Sequence, residues 1–154
     1  MPSFELSPET RNTLTVLPFL VGLSVAMAGR SDIVGFLEEV RVVEHIPELA
    51  EEFGDNPLIA AALTDRDHYS LTITPQMVII KERGDDIKHR YTPDRLLRHT
   101  LDLCVEARTI LSRQADPIAA AGYRQWVLKV AHSVADAAHE GGLFGPGRKR
   151  ETAN

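Results

Sequence analysis

From Leu14 to Ala28 the chain reads LTVLPFLVGLSVAMA, apolar around every side of a helical wheel. A helix with no polar face is one enclosed on all sides, so this run predicts the centre of a core. It is shorter than the ~20 residues that cross a bilayer. The Ala-Met-Ala at its end mimics a leader cleavage site, but Glu5 and Glu9 against Arg11 give the preceding stretch the wrong sign for a leader. Pro18 lies inside the run and removes one backbone hydrogen bond, which predicts a kink near Leu14–Pro18.

Elsewhere the punctuation is set by proline. Ser7-Pro8, Asn56-Pro57, Thr92-Pro93 and Asp116-Pro117 each place a capping side chain before a proline. The cap accepts an orphan N–H of the first turn, and proline at the first helical position has no N–H to orphan. Helices are therefore expected over 8–28, from Asn56-Pro57 through PLIAAALT, over 93–113 and over 117–140. Ser31 or Asp32 starts a further helix to about His45, and Pro47 a short one to Phe53 that Gly54 closes.

Between Asp67 and Tyr91 the pattern changes to Thr, Ile, Val and Tyr, with turn signals at Pro75-Gln76 and Gly84-Asp85-Asp86. Two or three short strands are expected there. The fold class that follows is mainly α: a single-domain helical bundle over 1–142 with a small β-hairpin insert near 68–91. Residues 143–154 are expected to form a flexible basic tail.

VGLSVAMA (21–28) aligns without gaps on VAHSVADA (130–137), with five of eight positions identical. Together with SVAMAGRSDIVGFLEE (24–39) and SVADAAHEGGLFGPGRKRE (133–151), the pattern resembles the tellurite-resistance TerB-like helical family, mainly over 123–142 and 19–39. The resemblance implies two related helical halves and a binding or scaffold role linked to stress or envelope functions, without a known reaction. Ala28 stands where the family pattern carries an acid before glycine. The acidic helix that usually follows Glu140 is missing, and the insert at 67–91 is foreign to the pattern.

Composition narrows the function classes. A net charge of −5 argues against a general nucleic-acid binder, which needs a basic face to displace phosphate counterions. Cys104 is the single cysteine, so no internal disulfide forms and a cytoplasmic location is expected. Its apolar setting, LDLCVEA, predicts a buried, inert thiol. Seven carboxylates between Glu38 and Asp55 face only Arg41, whereas six cations lie between Lys81 and Arg98. This segregation suits docking on a protein partner or self-association, and equally suits two solvated faces. Tyr123 and Trp126 are expected as core anchors.

One constellation could carry chemistry. His132, Asp136 and His139, with Glu140 beside them, sit on one shoulder of the last helix at spacings of four and three. Such spacing stacks side chains on adjacent turns, as one helix must do to offer several ligands to Zn²⁺ or Fe²⁺. A further ligand would come from His45, Glu44, His68 or His99. The Asp65–His68 and Asp86–His89 repeats of the spacing fall in predicted loop or strand, where it does not unite the two side chains. No nucleophile elbow, phosphate loop or H-E-x-x-H motif is present. The leading expectation is a non-enzymatic cytoplasmic binding or scaffold protein. The alternative is a metal-binding protein or metalloenzyme that uses the His/Asp/His face with a divalent metal. A third reading is membrane contact through Leu14–Ala28 and the basic tail.

Overall fold

The computed structural model describes residues 6–28, 45–64, 69–73, 77–82, 87–114 and 116–140. The helix expected after Ser31, both hairpin turn signals, Asp65, His68 and the tail from Gly141 onward lie outside these residues. In chain order the elements are α1 (Pro8–Met27), α2 (Ile46–Leu49), a 3₁₀ turn (Glu51–Phe53) and α3 (Pro57–Thr64). There follow β1 (Tyr69–Ile73), β2 (Val78–Glu82), β3 (Ile87–Tyr91), α4 (Pro93–Gln114) and α5 (Pro117–Glu140). The chain is mainly helical, with the strands in one small antiparallel sheet ordered β1-β2-β3.

All four cap–proline pairs start helices, and each cap engages the backbone N–H three residues on. Ser7 accepts from Thr10 at 3.1 Å, Asn56 from Ile59 at 3.1 Å, Asp116 from Ala119 at 3.1 Å, and Thr92 from Arg95 at 3.5 Å. Asn56 also accepts from Leu58 at 2.9 Å. Gly54 closes the 3₁₀ turn at φ 61° and ψ −125°, a conformation that only glycine adopts without strain.

α1 is the axis of the molecule. It packs against α3, α4 and α5, and Leu14, Leu17, Leu20, Leu23, Ala26 and Met27 are buried around its circumference. The helix runs on through Pro18. Proline has no N–H, so the Leu14 carbonyl loses its helical donor in a place water does not reach. Tyr123 of α5 replaces that donor: its hydroxyl donates to the Leu14 oxygen at 2.7 Å. Burial pushes the Tyr123 phenol well above its ordinary range, and the charge Cys104 carries when ionised adds to the effect. The hydroxyl is thereby held protonated, in its donating form.

Trp126, one turn later, meets the Tyr123 ring edge-on at 5.7 Å and donates its indole N–H to the Ile46 carbonyl of α2 at 3.3 Å. Both rings are buried, as expected of core anchors. Burial of each contributes roughly 1.5–3 kcal/mol.

The other buried polar groups of α1 are also paired. The Thr15 hydroxyl lies 2.8 Å from two carbonyls, that of Arg11 in its own helix and that of Ala62 in the last turn of α3. Thr100 on α4 donates to the Leu96 carbonyl at 2.7 Å, so Ser24 must donate in the 3.0 Å contact between the Ser24 and Thr100 hydroxyls. Asn56 turns its amide N–H to the Ala119 carbonyl of α5 at 2.9 Å, tying the start of α3 to that helix.

The sheet sits beside the N-terminal end of α4. Val78 and Ile80 of β2 are buried, and Val78 pairs with the buried Tyr91 of β3. Tyr91 stacks on His99 of α4 at 5.1 Å and 13°, and on His89 of its own strand at 6.0 Å and 23°.

The two echoed octapeptides do not share an environment. Val130 and Val134 are buried where Val21 and Val25 are only half-buried, and Ala26 is buried where Ala135 is half-buried. The paired valines fall on the inner line of α5 but on the half-open side of α1, so equal letters meet unequal surroundings.

Two substitutions test this packing. Tyr123→Phe is expected to cost ~1–3 kcal/mol by leaving the Leu14 carbonyl unpaired. In a Pro18→Ala background, which restores a helical donor, the cost falls by ~1 kcal/mol in a urea-denaturation double-mutant cycle. The folded state also holds the phenolic proton more tightly than the unfolded chain. Its contribution is therefore complete below pH ~10 and is lost above it, at up to ~1.4 kcal/mol per pH unit, and Tyr123→Phe removes that part of the alkaline decline.

At Gly122 an added Cβ would lie 2.4 Å from the Asn56 amide nitrogen. The amide is pinned by its three hydrogen bonds, so it cannot swing away without uncapping α3. Gly122→Ala normally gains ~1 kcal/mol in a helix interior. Here it is expected to destabilise by ~1–2 kcal/mol, and to stabilise once Asn56→Ser removes the amide while keeping a cap. Thermal or urea denaturation of the four proteins decides it.

Candidate functional site

The His/Asp shoulder of α5 is placed as its spacing requires. Val130 and Val134 are buried on the inner line, and His132 and Asp136 are exposed on the outer side. His139 and Glu140 belong to the last turn of the same helix, but their side chains lie outside the described residues. Among the described residues no group of three or more His, Cys, Asp or Glu side chains is arranged to hold a metal ion. Of the further ligands considered, His45 lies 3.1 Å from Glu48 on the surface, and His99 is engaged in the ring stack with Tyr91. Glu44 and His68 lie outside the described residues.

Glu52, on the 3₁₀ turn, pairs with Lys129 of α5. Glu48, Glu51 and Asp55 are exposed, as are Arg90, Arg95 and Arg98.

Cys104 corrects one expectation, because it is exposed rather than buried. The core line of α4 runs through Leu96, Thr100, Ala107 and Leu111. At 100° per residue Cys104 falls ~40° from Thr100 and ~60° from Leu101, at the edge of the buried line, where its charge still reaches Tyr123. Its apolar neighbours in sequence, Leu101 and Val105, are themselves exposed and made the context read as core. The inert half of the expectation is supported: desolvation of the sulfur pushes the thiol up, so it stays protonated near neutrality.

Those neighbours form the most distinctive surface of the molecule. Leu97, Leu101 and Val105 are 50%, 57% and 66% exposed. They succeed one another at i, i+4 and i+8, so they stand in a line along the outward face of α4. This line is separate from the buried one that packs on α1. Three large apolar side chains in one row are a different case from apolar residues scattered singly over a surface. Ile118 and Leu128 of α5 are the other large apolar residues exposed in the described part.

Charged residues frame the row. Asp94 lies one turn before Leu97 and Arg108 one turn after Val105, with Arg98 and Asp102 on one flank, all exposed. None of these four charges is engaged by another group within the described residues. Such a row can accept a partner helix by apolar contact with a charged rim, and it carries no nucleophile or acid–base pair. Sequence reading missed the row because α4 bears two apolar lines. Their sum looks like an ordinary buried helix until tertiary packing shows which line faces in.

Comparison with protein-family models, with curated proteins and with solved structures finds no match. No helix among the described residues is long and apolar enough to cross a membrane. The apolar residues from Leu14 to Met27 named by the membrane-contact reading lie largely within the core.

The metal alternative has a direct test. Protein purified without a tag and dialysed against Zn²⁺ is expected to retain the same substoichiometric metal as its His132→Ala/His139→Ala variant, measured by plasma emission. Retention of one equivalent by the native chain alone would establish the site.

Proposed function

We propose that this chain is a non-enzymatic helical binding module of the cytoplasm, in which the outward face of α4 is the recognition element. The row Leu97–Leu101–Val105 is the observation that carries the reading. At half or more exposure each, these side chains keep apolar surface in water that a partner would remove, at roughly 25 cal/mol per Å². The helix beneath them is rigidly held, since Leu96, Ala107 and Leu111 anchor its other side and the Ser24–Thr100 contact pins its middle. A preformed helix face of this kind binds without first being ordered. The TerB-like resemblance agrees with a helical scaffold role.

The reading predicts that binding and stability separate. Leu101→Ser/Val105→Ser is expected to change unfolding free energy by less than ~0.5 kcal/mol per site, because neither side chain is in the core. A photo-crosslinking amino acid at Val105, introduced in cells, is expected to give a discrete adduct. The same group at Arg124, exposed on α5, gives none. Equal yields at the two positions would sink the reading, as would a small-molecule turnover abolished by one point mutation.

A further inference from the structure

The spacing of the α4 row identifies its occupant. Asp94, Leu97, Leu101, Val105 and Arg108 follow one another at intervals of three, four, four and three residues. That order is the same read from either end, with Leu101 at its centre. At 100° per residue all five lie within about 40° of the Leu101 direction, on the outward side of the helix. The row spans roughly 21 Å of helix axis.

A helix row with this symmetry is complementary to itself when turned end for end. We propose that the outward face of α4 is covered by α4 of a second copy of this chain, antiparallel, about a two-fold axis through Leu101. The inference rests on the reading of this face as a recognition surface and names its partner.

Turning the second copy about Leu101 sets Leu101 against Leu101 and Leu97 against Val105. It sets Asp94 at one end of the row against Arg108 of the other copy, and repeats that pair at the far end. On the flank, Arg98 and Asp102 lie ~60° and ~100° from the Leu101 direction on the same side, so each Arg98 comes beside Asp102 of the second copy. These four residues are exposed, and none is engaged within the described part of its own chain. A parallel pair would instead set Asp94 against Asp94, Arg98 against Arg98 and Arg108 against Arg108. The apolar row supplies the attraction, and the charges select the antiparallel arrangement, as rim charges do in paired helices. The same patch serves both copies, as a closed two-fold dimer requires.

Sedimentation velocity of the purified full chain from about 1 µM to about 1 mM tests this. A reversible monomer–dimer equilibrium is expected across that range. Leu101→Asp places two carboxylates face to face on the axis and is expected to weaken dimerisation by more than tenfold, with the circular dichroism of the monomer unchanged. Asp94→Arg alone and Arg108→Asp alone are each expected to weaken it by roughly threefold to tenfold, since each creates like-charge contacts at both ends. The double variant Asp94→Arg/Arg108→Asp is expected to return to the native constant.

A chain monomeric up to 1 mM overturns the inference, and so does a dimer indifferent to Leu101→Asp or a charge swap that fails to restore. The Val105 photo-crosslink separates this failure from that of the wider reading. If the purified chain is monomeric and the cellular adduct joins a different protein, the recognition face stands and the second copy does not. An adduct that maps within a monomer to residues 29–44 of the same chain overturns both.

Discussion

Pro18 leaves the Leu14 carbonyl without a donor inside the core, and α5 supplies one through Tyr123. An unpaired carbonyl there would cost of the order of a whole hydrogen bond's desolvation, a large share of a small domain's net stability. The contact therefore does more than close a gap. It fixes the depth and rotation of α5 against α1, and Trp126, one turn on, carries that position across to α2 through the Ile46 carbonyl. From one missing N–H comes the placement of three helices.

The same logic runs through the rest of the interior. α1 is surrounded, so its hydroxyls must find partners in neighbouring helices. Thr13 reaches the Glu106 carboxylate of α4 at 2.8 Å, Thr15 the end of α3, and Ser24 the middle of α4. These contacts orient α4 with one apolar line inward and leave its second line outward. The exposed apolar row is thus a by-product of how the core settles α4. Its firmness comes from polar contacts on the opposite side of the helix.

Much of this was legible in the residues, because local chemistry decides helix starts. The cap–proline pairs at Ser7, Asn56, Thr92 and Asp116 and the stop at Gly54 are short-range instructions that tertiary packing had no reason to override. Three strands formed where the Thr/Ile/Val/Tyr run stood. What could not be read was anything that depends on which side of a helix meets its neighbour. Cys104 and the Leu97 row both belong to α4, where two apolar lines compete for the core and spacing alone gives them equal claim. The Asn56–Gly122 approach joins residues 66 positions apart, and nothing local marks Gly122 as more than a weak helix former. His132 and Asp136 lie on the outside of α5, a phase that the neighbouring valines fix. Its chemistry depends on groups that the sequence cannot bring near.

The Tyr123–Leu14 contact spans 109 residues, nearly the whole described chain. During synthesis α1, with its long apolar run from Leu14, emerges well before α5, the helix that satisfies its carbonyl and covers one of its sides. Until α5 has been made, α1 has neither its hydrogen-bond donor nor its Trp126-bearing cover, whatever α3 and α4 have already built around it. A nascent chain of this design must carry its stickiest segment half-dressed until some hundred residues more have been made. That makes the order of assembly, as much as the final stability, a condition of reaching the fold.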